Sequence, residues 1–291
     1  MPNYTDQVVA TEVRPGTDFS VCGQFGHANI DGDFKGYRGR GRGGCRQWLL
    51  RSPPVGNAFD LRAGLGQVHD AAGAWRFIRE FFEHWSRPLR DGDGCDEAEI
   101  RRAEQRLGIV LPEVLRHGYR LCGRRDDLRR QMRLLLPHEL RLDAEGKVLV
   151  YQEEHEYVIE VGTRLTGQAD PPVVWRAPDP MTEWEPYLPS MSWAWVEMAL
   201  SESMGEEALF DILWWDAAGV AEVERRFERL AVPGYLYAPE PGRNTGTRWF
   251  GGHDVLLRDD GSYACARCRT KAALTWLHET LLGEWVVHPE G

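Results

Sequence analysis

The sequence predicts an α+β fold in which a mixed, largely antiparallel central sheet is wrapped by N-terminal, middle and C-terminal helices. Residues 134–176 contain short β-branched and aromatic runs separated by turn residues, as expected of strands. Residues 69–122 repeat apolar side chains every three or four positions, which is the periodicity of amphipathic helices. Helical patterns return at residues 190–230 and 272–282. The sheet is therefore expected between two groups of helices.

Three helices are predicted before the sheet. The first covers residues 69–88, and its apolar stripe is formed by Trp75, Ile78, Phe82 and Trp85. Asp96 can cap the second helix, which ends at Gly108, because a carboxylate accepts hydrogen bonds from the unpaired N–H groups of a first turn. The third helix is expected over residues 112–122, with its apolar face turned inward.

The centre of the sheet is predicted to be a meander. Residues 147–151 and 157–161 are expected as neighbouring strands, connected by the charged residues 152–156. Residues 170–172, Asp-Pro-Pro, then interrupt strand pairing, since a proline has no N–H to donate to a ladder. An apolar strand resumes at residues 173–175. The two prolines therefore mark a sheet edge or a crossover.

The chain after these strands is predicted to contain more helices and one hairpin. Ser190 or Ser192 can cap a helix rich in apolar residues. The elements that follow are, in order, a continuation of helix over residues 208–215, a helix over 220–230, a hairpin of residues 255–257 and 263–267, and a closing helix over 272–282. The hairpin is favoured by the acidic glycine turn between its two strands.

Residues 1–67 are predicted to be a flexible or poorly structured extension, and residues 68–291 a single domain. The extension lacks hydrophobic periodicity and contains the arginine–glycine run 39–44, a composition typical of flexible segments. No methionine occurs between the first residue and Met132, so the codon of Val68 is a candidate alternative start. The sequence leaves open whether the extension is translated in the cell.

Length and composition indicate an ordinary globular protein. A chain of 291 residues, 42% of them hydrophobic, can bury a substantial core. No run approaches the roughly 20 apolar residues that a membrane helix needs, and no secretory leader is recognisable, so a cytoplasmic protein is expected. Its six cysteines are too sparse for a disulfide framework. Its basic residues are almost all arginine, which suggests a bacterium with a GC-rich genome.

The formal charge of −10 is unevenly distributed. Residues 170–240 contain fourteen acidic residues against four arginines, a difference of ten negative charges. Such a surplus disfavours nucleic acid, whose phosphates it repels, and favours a basic protein partner through long-range attraction. The alternative is a solvated surface that only keeps the protein soluble.

No catalytic residue, metal site or cofactor is predicted. Cys265 and Cys268 have the spacing of a metal-binding pair, but a structural zinc needs four ligands and a second pair is missing. His155, between Glu154 and Glu156, could titrate or bind a metal, although a solvated loop explains it as well. The sequence contains no zinc-protease helix, phosphate-binding loop or nucleophile elbow.

A series of short motifs recurs in a fixed order along the chain. The first comprises Ile100, Ala103, Glu104, Leu107, Gly108, Leu111, Pro112, Leu115, Tyr119 and Gly123. The later ones are Leu135-Leu136-Pro137-x-Glu139-Leu140, Asp170-Pro171-Pro172-Val173, Met191-Ser192-x-x-x-Val196, Trp249-Phe250-Gly251-Gly252 and Leu281-Leu282-Gly283-Glu284-Trp285. From about residue 70 to the end, this order resembles the SUKH superfamily, which includes yeast cell-wall regulators and bacterial immunity proteins.

The resemblance implies an α+β fold without catalysis that serves as a protein-binding module. Bacterial members are linked to immunity against polymorphic toxins, often nucleases, by direct binding. One stretch departs from the family. Where the family often has Glu-Asn-Gln followed by Trp-Gly on the central hairpin, this chain has Glu154-His155-Glu156 and Val161-Gly162. A partner contact through those amides is therefore in doubt.

The leading hypothesis is an immunity protein that covers the basic face of a toxin domain. The residues predicted to contact the partner combine charge for the rim with aromatic anchors for the centre of an interface. They are Glu183, Trp184, Glu185, Asp211, Trp214 and Asp216, with Glu154 and Glu156 of the hairpin. The alternative is an intracellular regulatory or scaffold protein with an endogenous partner. An enzyme is the third option, and the oligomeric state is left open.

Overall fold

The computed structural model of the protein describes residues 59–291, except residues 180, 205–209, 215–216, 236–245, 253, 262, 282–283 and 286–291. Within the described part the fold is α+β with largely antiparallel strands, as the sequence predicts. Its strands form two six-stranded sheets rather than one central sheet. Every strand pair in this part of the chain is antiparallel, so the expected mixture with parallel pairing is not seen there.

Four α-helices precede the first sheet: α1 (Leu61–Leu65), α2 (Ala71–Trp85), α3 (Glu97–Leu107) and α4 (Glu113–Cys122). The three predicted helices are confirmed as α2, α3 and α4. Asp70 caps α2 by accepting a hydrogen bond from the backbone N–H of Gly73 at 2.8 Å. Asp96 and Glu99 form a reciprocal capping box at the start of α3. Carboxylates therefore begin these helices, as expected for their unpaired first N–H groups.

Helix α1 lies in the segment that the sequence analysis assigns to a flexible extension, so that boundary is wrong for residues 59–67. Asp60 caps this helix by accepting hydrogen bonds from the N–H groups of Arg62 and Ala63. Leu61 and Leu65 are buried. Five residues are too few for a periodic pattern to stand out. The remainder of the predicted extension, residues 1–58, lies outside the described residues.

The first sheet contains β1 (Met132–Leu134), β2 (Arg141–Leu142), β3 (Val148–Glu154), β4 (Glu160–Arg164), β5 (Val173–Arg176) and β6 (Glu185–Leu188). Its strand order is β1-β3-β4-β5-β6, with β2 paired to β3. The predicted central meander is thus confirmed, although β3 and β4 each end three residues later than expected. The pairing of β3 with β4 shifts register between Val150 and Gln152, which is a local bulge.

Helix α5 (Met191–Ser203) follows the first sheet and is buried along almost its whole length. Ser190 caps it through the N–H of Trp193. The carboxylate of Asp170, before the two prolines, accepts hydrogen bonds from the N–H of Ser192 at 2.8 Å and from its hydroxyl at 2.6 Å. The Asp-Pro-Pro stretch therefore both ends strand pairing and secures the start of α5.

The second sheet and its helices complete the described chain. The elements are β7 (Phe210–Trp214), α6 (Ala217–Arg226), β8 (Glu228–Arg229), β9 (Arg248–Gly252), β10 (Val255–Asp259), β11 (Tyr263–Cys268), α7 (Lys271–Thr280) and β12 (Glu284–Trp285). The strand order is β12-β7-β11-β10-β9-β8. The predicted hairpin is confirmed as β10 and β11, and the predicted closing helix is confirmed as α7.

The prediction of a helix over residues 208–215 is wrong, because residues 210–214 form β7. This strand pairs with β11 on one side and with β12 on the other. A central strand with neighbours on both sides suits a short, mostly apolar run. Periodicity alone cannot distinguish such a run from a buried helix, since both are apolar throughout.

Helix α5 is hydrogen-bonded to β10 of the second sheet and to Tyr235, which precedes β9 in the chain. The carboxylate of Glu197 accepts hydrogen bonds from the hydroxyls of Ser201 and of Tyr235, the latter at 2.6 Å. Arg258 of β10 donates to the hydroxyl of Ser201 at 3.0 Å. All four side chains are buried. A buried polar group is costly unless it has a partner, so these bonds constrain how α5 sits against the second sheet.

The carboxylate of Glu202, in the last turn of α5, holds the chain that leads into β1. It accepts backbone hydrogen bonds from the N–H groups of Arg130 at 2.8 Å, Gln131 at 3.0 Å and Met132 at 2.8 Å. Burial raises the pKa of this carboxyl to about 7, against the lowering effect of the three N–H donors, and nearby Glu197 adds to the rise. Ionising Glu202 in the folded protein is therefore harder than in the unfolded chain.

We expect this group to make stability depend on pH. Because the pKa of Glu202 is higher in the folded protein than the value of about 4.3 in an unfolded chain, its contribution is greatest below about pH 4 and is lost as the pH rises to about 7. Between pH 4.5 and 7.5, the wild-type protein should lose on the order of 2 kcal/mol of unfolding free energy relative to Glu202→Gln. Urea unfolding of both proteins at the two pH values measures this difference.

Glu183→Gln is the control, because it removes a carboxyl group at an exposed position instead of a buried one. A second variant, Glu202→Ala, should be less stable than the wild type by about 1–3 kcal/mol, since it leaves one buried and two partly buried N–H groups without their acceptor. Identical pH dependence of the wild type and Glu202→Gln would show that this carboxyl keeps its ordinary pKa.

Candidate functional site

The residues predicted to contact a partner divide into two groups. Five of the eight lie around the first sheet: Glu154, Glu156, Glu183, Trp184 and Glu185. In the register, Glu153 is opposite Glu160, and Glu160 is opposite Arg176. The connections β3–β4 and β5–β6 therefore leave the sheet at the same end, about 10 Å apart at two strand spacings. We call this region the loop end, which comprises residues 155–159, 177–179 and 181–185.

The other predicted residues are not placed at the loop end. Asp211 and Trp214 belong to β7 of the second sheet, and their side chains lie outside the described part of the structure. Asp216 lies outside the described residues altogether. Five of the predicted residues thus belong to the strand ends and connections at one end of the first sheet, and two belong to the second sheet.

Arginine and glutamate side chains alternate across one face of the first sheet. The pairs run from the loop after β1 to β5: Arg133–Glu139 (2.5 Å), Arg133–Glu153, Arg141–Glu153 (2.9 Å), Arg141–Glu160 (2.7 Å) and Arg176–Glu160 (2.9 Å). We call these six residues the ion-pair ladder. Three arginines balance three glutamates, so the ladder carries no net charge of its own.

Glu160 and Arg133 of the ladder both favour their charged forms. Burial alone would raise the pKa of Glu160, but hydrogen bonds from Arg141 and Arg176 lower it on balance. Burial opposes the charge of Arg133 as well, while hydrogen bonds to Glu153 and Glu139 raise its pKa overall. Linked, partly buried pairs of this kind hold long side chains in one arrangement. The ladder therefore stiffens the sheet from which the two loops project.

The indole of Trp184 lies over this face instead of projecting from it. Its Nε1 donates to a carboxylate oxygen of Asp143 at 3.1 Å, and the guanidinium of Arg176 lies 4.3 Å from the ring centre. The ring lies over Gly162, where a Cβ would be 3.4 Å from it and only 2.5 Å from Cγ1 of Val148. Trp184 is half-buried. The predicted aromatic anchor therefore exposes only part of its surface.

Glu154, predicted to contact the partner, is only 3% exposed. Its Oε2 accepts a hydrogen bond from the N–H of Glu156 at 2.6 Å. Burial raises the pKa of this carboxyl, and the backbone N–H groups of Glu156 and Val158 oppose the rise. Glu154 thus organises the β3–β4 loop, whereas Glu156 is exposed in it. The exposed glutamate is the one that a partner could reach.

Exposed apolar side chains concentrate at the loop end. In the described part of the chain, the large hydrophobic residues that remain exposed are Val110, Tyr157, Val158 and Met181. The last three belong to the two connections of the loop end. Asp179, Glu183 and Glu185 are exposed in or next to the same connection as Met181 and lie outside the ion-pair ladder. The loop end therefore combines apolar contact area with negative charge.

The acidic surplus of residues 170–240 is not one continuous surface. Several of its carboxylates are internal or paired: Asp170 caps α5, Glu197 and Glu202 are buried, and Glu222, Glu224 and Glu228 form ion pairs with arginines. The exposed acids of the loop end are what remains of the predicted acidic interface among the described residues. Sequence analysis identified Glu183 and Glu185 but missed Tyr157, Val158, Asp179 and Met181, whose exposure no sequence pattern signals.

Cys265 and Cys268 are both buried in β11. Residues three apart in a strand point to opposite faces, so the two thiols do not converge on one ligand. Burial raises the pKa of Cys265. Among the residues with described positions, no group of three or more histidine, cysteine or acidic side chains could hold a metal ion. Likewise, no helix in the described ranges is long and apolar enough to span a membrane.

Comparisons of the chain with protein-family models, with curated proteins and with solved structures find no match. The resemblance to the SUKH superfamily, which rests on the order of short motifs, stays a prediction. The case for a function therefore depends on the geometry of the loop end and the ladder.

We expect Gly162→Ala to lower the free energy of unfolding by about 1–3 kcal/mol, because the added methyl group overlaps Cγ1 of Val148 and crowds the carbonyl oxygen of Leu149. Gly234→Ala is the matched control, since a Cβ at Gly234 meets no atom within 4 Å. Urea unfolding of both variants measures the effect. Equal stability of Gly162→Ala and the wild type would mean that Val148 does not pack this closely against Gly162.

Proposed function

We propose that the protein is a cytoplasmic, non-catalytic binding module that neutralises a bacterial polymorphic toxin by direct contact, as an immunity protein does. The partner would be a basic toxin domain, bound without a metal or cofactor and without nucleic acid. The order of motifs that resembles the SUKH superfamily supports this class of protein. The geometry of the loop end supports its mode of action.

The observation that carries the proposal is that the two connections of the loop end carry both exposed apolar and exposed acidic side chains. Tyr157 is 61% exposed in the β3–β4 connection and Met181 is 88% exposed in the β5–β6 connection, and Asp179, Glu183 and Glu185 are exposed in or next to the latter. Protein interfaces typically place apolar and aromatic residues at the centre and charge at the rim. The neutral ladder beneath provides a stiff support, so little ordering is needed when a partner binds.

The charge of the loop end favours a basic partner. Its exposed acids would attract a positive surface and repel a nucleic acid. A toxin that cleaves nucleic acid must itself bind phosphates, and it therefore presents basic side chains. Covering that surface would block substrate binding. Rim charges of this kind chiefly raise the association rate and make it depend on salt.

The experiment that tests the proposal is a pull-down with the purified protein from a lysate of the source bacterium, at low and at high salt, read by mass spectrometry. Recovery of a large protein that ends in a basic toxin-like domain, and its loss at high salt, is the expected result. Recovery of only endogenous regulatory or housekeeping proteins would move the function to a scaffold and overturn the immunity proposal.

A charge-neutralised pair of variants tests the role of the loop end. We expect Glu183→Gln/Glu185→Gln to lower the association rate with the recovered partner by about tenfold at low salt, and to flatten its salt dependence. The control is Glu80→Gln/Glu83→Gln, which removes the same charge from exposed sites on helix α2. If the two double variants bind alike, as measured by surface plasmon resonance, the loop end is not the interface.

A further inference from the structure

We infer that Tyr157 is the anchor of the loop end, held by its turn so that the phenol enters an apolar pocket with a basic rim on a partner protein. The inference rests on the proposed function and deepens it by naming the side chain that enters the partner and the chemistry that receives it. It draws on three observations: the backbone conformation of Tyr157, the hydrogen bonds that fix the turn, and the exposure of the side chain.

The backbone conformation of Tyr157 is unfavourable for a tyrosine. Its φ is 61°, which lies in the left-handed region where a Cβ approaches the neighbouring carbonyl oxygen. Glycine adopts this conformation without that cost, and asparagine or aspartate with less of it. A bulky aromatic side chain at a position that favours glycine adds nothing to the turn itself. Its presence points to a role for the phenol outside the loop.

The turn is determined by hydrogen bonds that do not involve the phenol. The N–H of Tyr157 donates to the carbonyl of Glu154 at 2.9 Å, and the N–H of Glu154 donates to the carbonyl of Ile159 at 2.8 Å. The neighbouring N–H of His155 donates to the carbonyl of Gln131 at 3.0 Å. With the buried carboxylate of Glu154 bonded to Glu156, the backbone is fixed before a partner arrives. A fixed anchor loses less entropy on binding.

Tyr157 and Val158 form the tip of the β3–β4 turn. Their exposure indicates which groups a partner must place against them. Tyr157 is 61% exposed, and its neighbour Val158 is 38% exposed. Burying a ring of this kind contributes strongly to association, and tyrosine is among the residues most often found to dominate interfaces. Its hydroxyl requires a hydrogen-bonding group at the end of the pocket. Exposed Glu156, next to Tyr157 in the turn, favours basic side chains at the rim of the pocket.

Val110 serves as the comparison for the tip. It is 82% exposed between α3 and α4, away from the acidic residues of the loop end. A single exposed apolar residue of this kind is common on protein surfaces. Truncation of Val110 should therefore leave partner binding unchanged.

The first arm of the test is stability, which requires no partner. Tyr157→Gly should unfold at the same urea concentration as the wild type or at a higher one, because glycine relieves the left-handed conformation without removing a packed side chain. A clear fall in the unfolding midpoint would show that the phenol stabilises the fold, and it would overturn the inference.

The second arm is binding, with a display library of random 12-residue peptides as the probe. Peptides selected by the wild-type protein should combine lysine or arginine with apolar residues. Tyr157→Ala should weaken their binding at least tenfold, and Tyr157→Phe should weaken it less, since only the hydroxyl is lost. Val110→Ala should bind as the wild type does.

The outcomes separate this inference from the proposed function. If Glu183→Gln/Glu185→Gln weakens peptide binding while Tyr157→Ala does not, the loop end is an interface and the anchor is wrong. If neither change weakens binding, or if the library yields no basic and apolar peptides, both ideas fail. Loss of binding in Tyr157→Ala, with an unfolding midpoint equal to that of the wild type, supports the anchor.

Discussion

The burial of α5 is the constraint on which the rest of the structure depends. A helix with no solvent-facing side must satisfy every polar group that it carries inside the protein. Asp170 therefore holds its first turn, Glu197 receives the hydroxyl of Tyr235, and Glu202 receives three N–H groups from the chain that enters β1. These bonds have fixed geometry, whereas apolar contacts tolerate sliding. They determine how β1 and the second sheet are placed relative to the helix.

The same requirement explains why the acidic surplus is a poor guide to the surface. Carboxylates are the usual acceptors for unpaired backbone N–H groups, and several acids of residues 170–240 perform that task. Others are neutralised by arginines, as Glu222 is by Arg225 and Arg226. Net charge counted along a sequence includes all of them equally. Only acids that neither cap backbone N–H groups nor pair with arginines, such as Glu183 and Glu185, can attract a distant partner.

Sequence patterns predicted the parts of the fold that follow local rules. Capped helices with clear apolar stripes and the β10–β11 hairpin agree with the structure, because caps, turns and periodicity are properties of a few neighbouring residues. The short helix α1 and the strand β7 were missed. A five-residue helix shows no period, and an apolar central strand resembles a buried helix. The division into two sheets depends on long-range pairing that no local pattern encodes.

The candidate site shows the same limit more sharply. Glu154 and Glu156 are two positions apart and chemically identical, yet one is buried beneath the turn and the other is exposed. Their difference is set by the strand geometry at the end of β3, where the carboxylate of Glu154 folds back onto the backbone of its own loop.

The turn that carries Tyr157 is held by these hydrogen bonds and is attached to a sheet that the ion-pair ladder stiffens. The side chain of Tyr157 adds little to the stability of the free protein, since it is mostly exposed. A turn that is already rigid loses less conformational entropy when a partner binds. A preorganised tip is therefore better explained by association than by folding.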